Sequence, residues 1–171
     1  MPNDLVSRTC CFTGHQDIPK CDEQKIITRV RYLLQPLMDQ GVAYFGVGGA
    51  VGFDMLVAEH LLHLRDDLGK KIYIISVLPF PDWRNQWTEA QKQRQDEIMR
   101  RSDKVTFVSQ SYSKGVYLLR DRKLVDGSAY CISYCRRTTG GTAYTVRYAL
   151  KKGLIVRNAG SWDLRQLERG T

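Results

Sequence analysis

Short apolar runs alternate with helix-period segments along the whole of this 171-residue chain, and that alternation limits the folds open to it. Strands separated by helices are joined most simply as parallel neighbours, which places helices on both faces of one sheet. The clearest run is 71–78 (Lys-Ile-Tyr-Ile-Ile-Ser-Val-Leu), whose β-branched residues suit a strand covered on both sides. Further strands are expected at 6–12, 42–47, 104–108, 129–134 and 154–158. Helices are expected at 22–40, 52–68, 85–101, 117–126 and 142–152. The expectation is an α/β chain: a single Rossmann-like domain over residues 1–171, with a mostly parallel sheet of about six strands.

Individual segments carry their own signals. Ile26, Ile27, Val30, Leu33, Leu34 and Leu37 recur at helical spacing, and Gly41 is placed to end that helix. Pro36 predicts a kink or an early end there. Segment 85–101 is polar, with only Trp87, Ala90, Ile98 and Met99 to form a narrow apolar stripe. Cys10 and Cys11 are adjacent in a strand, so their side chains should point to opposite faces. Five cysteines without a CxxC pair read as reduced, mostly buried thiols, and no metal site is expected.

No apolar run approaches the roughly 20 residues of a membrane span, so no membrane partner is expected. The opening Met-Pro-Asn-Asp lacks the basic-then-apolar pattern of a secretory leader, which points to a cytoplasmic protein. The formal charge of +8 favours anionic partners, whether nucleotides or nucleic acid. The basic residues are dispersed (Arg100-Arg101, Arg120 to Lys123, Arg136-Arg137, Lys151-Lys152), so a nucleic-acid-binding tail is excluded.

Function is carried by three glycine-bearing loops where a strand hands over to a helix. They are Thr13-Gly14-His15, the stretch from Gly46 to Gly52, and Thr138-Thr139-Gly140-Gly141-Thr142. Loops following parallel strands gather along one sheet edge, and helix N-termini there offer free N–H groups to anions. In the central loop Gly48, Gly49 and Gly52 either cradle an anion or make a tight turn. It misses the dinucleotide fingerprint by one residue and lacks the Gly-Lys-Ser/Thr ending of a P-loop. Asp54, in the first helical turn after it, either complements the helix dipole or faces ribose hydroxyls or a water; it is the one candidate catalytic residue. Glu59 lies more than a turn further on. In the last loop Gly140, Gly141, Thr142 and Thr145 present hydroxyls and bare N–H groups, with Thr142 also able to act as an N-cap. His15 is read either as a donor or proton carrier or as a solvated loop residue. Pro79, Phe80, Trp83 and Trp87 follow the third strand and either stack on a base or pack the polar helix.

These residues resemble the YpsA-like branch of the SLOG superfamily, which joins the DprA/Smf and LOG proteins. The likeness rests on Cys10-Cys11-Phe12-Thr13-Gly14-His15, Gly48 to Asp54 with Ala58-Glu59, and Pro79-Phe80 with Trp87. Val125-Asp126-x-Ser128 and Gly140-Gly141-Thr142-Ala143-x-Thr145 extend it over nearly the whole chain. The resemblance implies a Rossmann-like nucleotide binder with ligand positions at Thr13, Gly14, Gly49, Gly52, Asp54, Gly141 and Thr142. It also implies a homo-oligomer. Where the branch often shows Arg-Asn this chain has Arg120-Asp121, and the glutamate that LOG enzymes carry after the last glycine loop is missing.

The leading expectation is binding or sensing of a nucleotide-derived small molecule such as AMP, ADP-ribose or NAD, as in a regulator of cell division or stress. Two alternatives stand beside it: a LOG-like nucleotide hydrolase, and a DprA-like binder of single-stranded DNA using the basic charge with Trp83, Trp87 and Tyr112.

Overall fold

The computed structural model describes residues 4–170, so Met1 to Asn3 of the leader reading, and Thr171, lie outside the described residues. Six strands form one sheet: β1 (Thr9–Gly14), β2 (Tyr44–Val47), β3 (Tyr73–Leu78), β4 (Lys104–Phe107), β5 (Tyr130–Tyr134) and β6 (Ile155–Asn158). The spatial order is β4-β3-β2-β1-β5-β6, and every neighbouring pair is parallel. The sheet is therefore wholly parallel, where the sequence predicts a mostly parallel one. The chain steps outward from β1 to β4, then returns to lay β5 against the other side of β1, in register from Cys10↔Tyr130 to Gly14↔Tyr134. That reversal opens a crevice beyond the carboxyl ends of β1 and β5, the place where doubly wound sheets bind ligands.

The longer helices are α2 (Glu23–Asp39), α3 (Phe53–Asp66), α4 (Glu89–Arg101), α5 (Val116–Asp126) and α6 (Gly141–Lys151), after a four-residue turn α1 (Asp4–Ser7). Two apolar cores, one on each face of the sheet, follow from the strand period of two. Cys10, Phe12, Phe45, Ile74 and Ile132 meet Val30 and Leu34 of α2 and Phe53, Val57 and Leu61 of α3. Cys11, Val77 and Cys131 meet Leu124 and Val125 of α5 and Ala143, Val146 and Ala149 of α6. Cys10 and Cys11 thus face opposite cores.

Most element boundaries fall within two residues of the sequence reading, as β3 does in starting at Tyr73 instead of Lys71, and three departures have a clear physical cause. Residues 6–7 are helical because the Ser7 hydroxyl donates to the Asp4 carbonyl, and the Thr9 hydroxyl to that of Leu5, closing a turn before β1. The polar helix α4 begins at residue 89 because Thr88 and Gln91 form a reciprocal capping box. Helix α2 passes through Pro36 to Asp39, since its apolar stripe (Ile26, Val30, Leu34, Leu37) stays buried beyond the proline.

Leu34→Ala, in a fully buried position, is expected to lower stability by about 2–5 kcal/mol. Leu150→Ala, on an exposed position of α6, should stay within about 0.5 kcal/mol. Urea denaturation of both variants checks the placement of α2 against the sheet.

Candidate functional site

The loops after β1, β2 and β5 meet at the crevice and are held to one another by named bonds. Phe53 N–H, at the start of α3, donates to His15 O at 3.1 Å, so the first loop sits directly on the second. His15 Nε2 accepts from Arg136 N–H at 2.8 Å, tying the first loop to the segment after β5. The His15 ring is 7% exposed and packs edge-on against Tyr134. Burial, then the charge of Arg137, lowers its pKa, which keeps the ring neutral and Nε2 an acceptor. The geometry gives His15 a structural bond, and it is buried where the sequence left a solvated position open.

The glycines divide into two physical groups. A Cβ at Gly14 would overlap the Phe53 ring, one at Gly49 would overlap Leu78, and one at Gly52 would strike the backbone of Gln16. At Gly48 a Cβ would lie 2.8 Å from Asp54 Oδ2 and 3.1 Å from the Arg120 side chain. Close packing alone requires glycine at these positions. Gly140 and Gly141 are different, since a Cβ at either meets nothing within 4 Å. Their bareness faces open space at the N-terminus of α6, whose N-cap Gly140 provides no side-chain hydrogen bond. The first amides of α6 are therefore open to an anion.

Two adjoining cavities line this edge. The first, about 300 Å³, is polar and includes Thr13, Gly14, Asp54, Arg120, Gly141 and Thr142 in its walls. The second, about 680 Å³, is an aromatic basin walled by Phe80, Trp83, Trp87, Tyr112 and Tyr117 with the amides of Asn85, Gln86 and Gln91. Gln16, Ala50, Tyr117 and Arg120 belong to both, so the two make one trough. The basin's rings are held in edge-on pairs, Trp83 with Trp87 and Phe80 with both Tyr112 and Tyr117. Trp83 is anchored by its indole N–H donating to Gly49 O at 2.8 Å.

Asp54 and Arg120 form the buried polar floor. Asp54 Oδ2 accepts from Ala50 N–H at 3.3 Å, which also braces the central loop. Burial raises the Asp54 pKa from 3.8 to about 7, against the lowering effect of the nearby Arg120 charge. Arg120 donates from Nε to Asp121 Oδ1 at 2.6 Å and from Nη1 to Gly48 O. Thr145 Oγ1 lies 3.0 Å from Asp121 Oδ2 and 2.9 Å from Gly141 O, so it supports the last loop from beneath.

Of the sequence-predicted residues, Thr13, Gly14, His15, Asp54, Gly140, Gly141 and Thr142 line the polar cavity, and Phe80 and Trp87 line the basin. Gly48, Gly49, Gly52, Pro79 and Thr145 line neither and act from behind the wall. Glu59 instead pairs with Arg94 of α4, away from the trough. Sequence reasoning missed Arg120, Tyr117 and Gln16 as wall residues. Arg120 did carry a signal: it shares a helical stripe with Val116 and Leu124, and a charge on an apolar stripe marks a buried, partnered group.

The raised Asp54 pKa has a stability consequence. Between pH 3.8 and about 7 the folded protein holds a proton that the unfolded chain has lost, so stability falls as pH rises through that window. Asp54→Asn keeps an acceptor for Ala50 N–H and removes this fall. Thermal melts should show the variant level with wild type near pH 4 and more stable at pH 8, by at most on the order of 4 kcal/mol.

Comparison with known proteins bears on the family and the fold that carry this site. The family model YpsA, described as the YspA SLOG family, matches residues 15–155. DNA processing protein A from Helicobacter pylori, solved for its single-stranded DNA binding mode, superposes with a TM-score of 0.61 at 21% identity. DNA processing protein A (DprA) from Streptococcus pneumoniae superposes with a TM-score of 0.67 at 17% identity. These likenesses cover 91% and 98% of this chain, which spans only 66% and 58% of those two chains. At such identities they speak to the fold. No curated protein matches the chain significantly. Because the family model takes in well over half of the sequence, from the first glycine loop to β6, the chain belongs to the YspA SLOG family.

Proposed function

We propose that the trough binds a nucleotide-derived small molecule of the AMP, ADP-ribose or NAD type. The observation that carries this reading is the joining of a polar cell at a bare helix N-terminus to an aromatic, amide-lined basin. A phosphate fits against the first amides of α6 at Gly141 and Thr142. Asp54 and Thr13 offer acceptors and a donor for ribose hydroxyls. The base fits among Phe80, Trp87 and Tyr117, where stacking is worth about 1–3 kcal/mol per base, and Gln and Asn side chains suit the mixed donor and acceptor edge of a purine. Binding is the activity proposed. The glutamate used by LOG enzymes is absent at the last loop, where Val146 is buried in the core and Arg147 packs near the C-terminal segment.

A second reading, single-stranded DNA binding, is favoured by the likeness to the Helicobacter pylori protein and by the charge of +8. Such binding would weaken steeply with salt, and a mobility shift that persists at low salt and vanishes near 0.5 M (roughly a threefold rise over physiological strength) would support it.

Isothermal titration against AMP, ADP-ribose and NAD tests the leading reading. Gly141→Val should abolish binding with little change in melting temperature, because a side chain there enters open space. Trp87→Ala should weaken binding about tenfold, the loss of one stacking contact. Silence of the whole panel with wild-type protein would overturn the reading.

A further inference from the structure

The trough's charges say more about its ligand than its shape does. Its walls carry four carboxylates, Asp17, Asp54, Asp82 and Asp121, against two guanidinium groups, Arg120 and Arg137. Both guanidinium groups are already engaged: Arg137 pairs with Asp17, and Arg120 with Asp121. His15 is held neutral by its bond from Arg136 N–H and by burial. The pairs cancel, so the local excess is negative and rests on buried Asp54 in the cell and exposed Asp82 at the basin rim. A chain with a formal charge of +8 thus has its site in a part of the surface without any cationic surplus.

A polyphosphate or a nucleic-acid strand needs the reverse, an electropositive groove along its backbone. Among the described residues, the attraction for an anion in the cell that no carboxylate already offsets is the bare N-terminus of α6, equivalent to about half a charge. The cell's 300 Å³ corresponds to a width of about 8 Å, close to the Debye length at physiological ionic strength. A phosphate seated at Gly141 and Thr142 therefore feels Asp54 with little screening. Asp54 is faced by Arg120 and Asp121 from α5 and by the amides of its own loop, with Asp17, His15 and Arg137 across the cell.

We infer that the trough selects its ligand by charge: it takes a nucleoside bearing no more than one terminal phosphate, and Asp54 takes up a proton as that phosphate binds. This rests on the nucleotide reading above, narrows it towards AMP over the diphosphate-bearing ADP-ribose and NAD, and adds a proton linkage. The buried carboxyl titrates at about 7, so the proton is available near neutral pH without unfolding the loop. Neutral Asp54 also changes role, from an acceptor that repels phosphate to an O–H donor able to bond a phosphate or ribose oxygen.

The test is a titration series of adenosine, AMP, ADP and ATP at fixed ionic strength, run at pH 6, 7 and 8 in buffers of different ionisation enthalpy. Adenosine, which brings no charge for Asp54 to repel, should show a weaker pH dependence than AMP. AMP should bind about tenfold more tightly at pH 6 than at pH 8, following the protonated fraction of a group titrating near neutrality. Its binding heats should report proton uptake at pH 7 and 8, in excess of any change in the phosphate's own ionisation. Each phosphate beyond the first should weaken binding about tenfold. Asp54→Asn should bind AMP at pH 8 as wild type does at pH 6, with the excess proton uptake gone. ATP binding as tightly as AMP, or AMP binding without proton uptake, would overturn the inference while leaving the nucleotide reading standing. A blank across this series together with ADP-ribose and NAD would remove both.

Discussion

The guanidinium of Arg120 lies beneath the trough and is shared by the loops that build it. It donates to the carbonyl of Gly48 at the end of β2 and to the carboxylate of Asp121, which in turn faces Thr145 below the last glycine loop. Only 7% of Arg120 remains exposed. Removing such an ion from water costs several kcal/mol, recovered only if its donors are met in good geometry. Here a carbonyl and a carboxylate from different elements meet them. The planar fork matters, because a lysine ammonium is a point charge without fixed donor directions. With Arg120 in place, Gly48 must lack a side chain, Asp54 faces a counter-charge, and α5 is tied to the loop at the carboxyl end of β2.

Much of the fold was legible because it rests on apolar periodicity, which survives in a single sequence. The run at 71–78, the stripe from Ile26 to Leu37 and the opposed Cys10 and Cys11 all landed where spacing put them. The failures occur where polar side chains override that pattern. Val6 looks like the start of a strand, but the hydroxyls of Ser7 and Thr9 close a helical turn over it. Residues 85–88 look helical by continuity, but the Thr88–Gln91 box starts the helix later, a signal present in the sequence and passed over. Pro36 reads as a stop by its own chemistry, yet burial of Leu37 outweighs the missing hydrogen bond.

The candidate site was harder to read, because one letter, glycine, serves two purposes that a sequence cannot separate. At Gly14, Gly49 and Gly52 the absent side chain makes room for Phe53, Leu78 and the Gln16 backbone. At Gly140 a positive φ of 94° favours glycine by itself, and at Gly141 the absent side chain makes room for nothing in the chain. The richest glycine loop in the sequence is thus explained by packing, and the sparser one retains the case for a ligand. The basin amides were likewise invisible as a group, since Asn85, Gln86 and Gln91 are ordinary members of a polar segment until the turn after β3 folds them around the rings.

Composition misleads about the site for a related reason: it counts charge without locating it. Cationic side chains such as Arg122 and Lys152 are exposed and lie over the rings of Tyr144 and Tyr148 along α5 and α6. They can raise the rate at which anions meet the protein, because long-range steering responds to the whole surface field. Inside the trough the field is set by Asp54, Asp82 and paired arginines within a Debye length. On the proposed reading, attraction to an anion and selection of an anion therefore fall on different surfaces. Among the described residues lining the trough, the two arginines are each paired with an aspartate, so on the proposed reading a weakly charged nucleotide loses less by entering it than a polyanion does. On the two proposed readings, a strand would meet the exposed basic helices first, and a small ligand would be chosen at the floor built around Arg120 and Asp54.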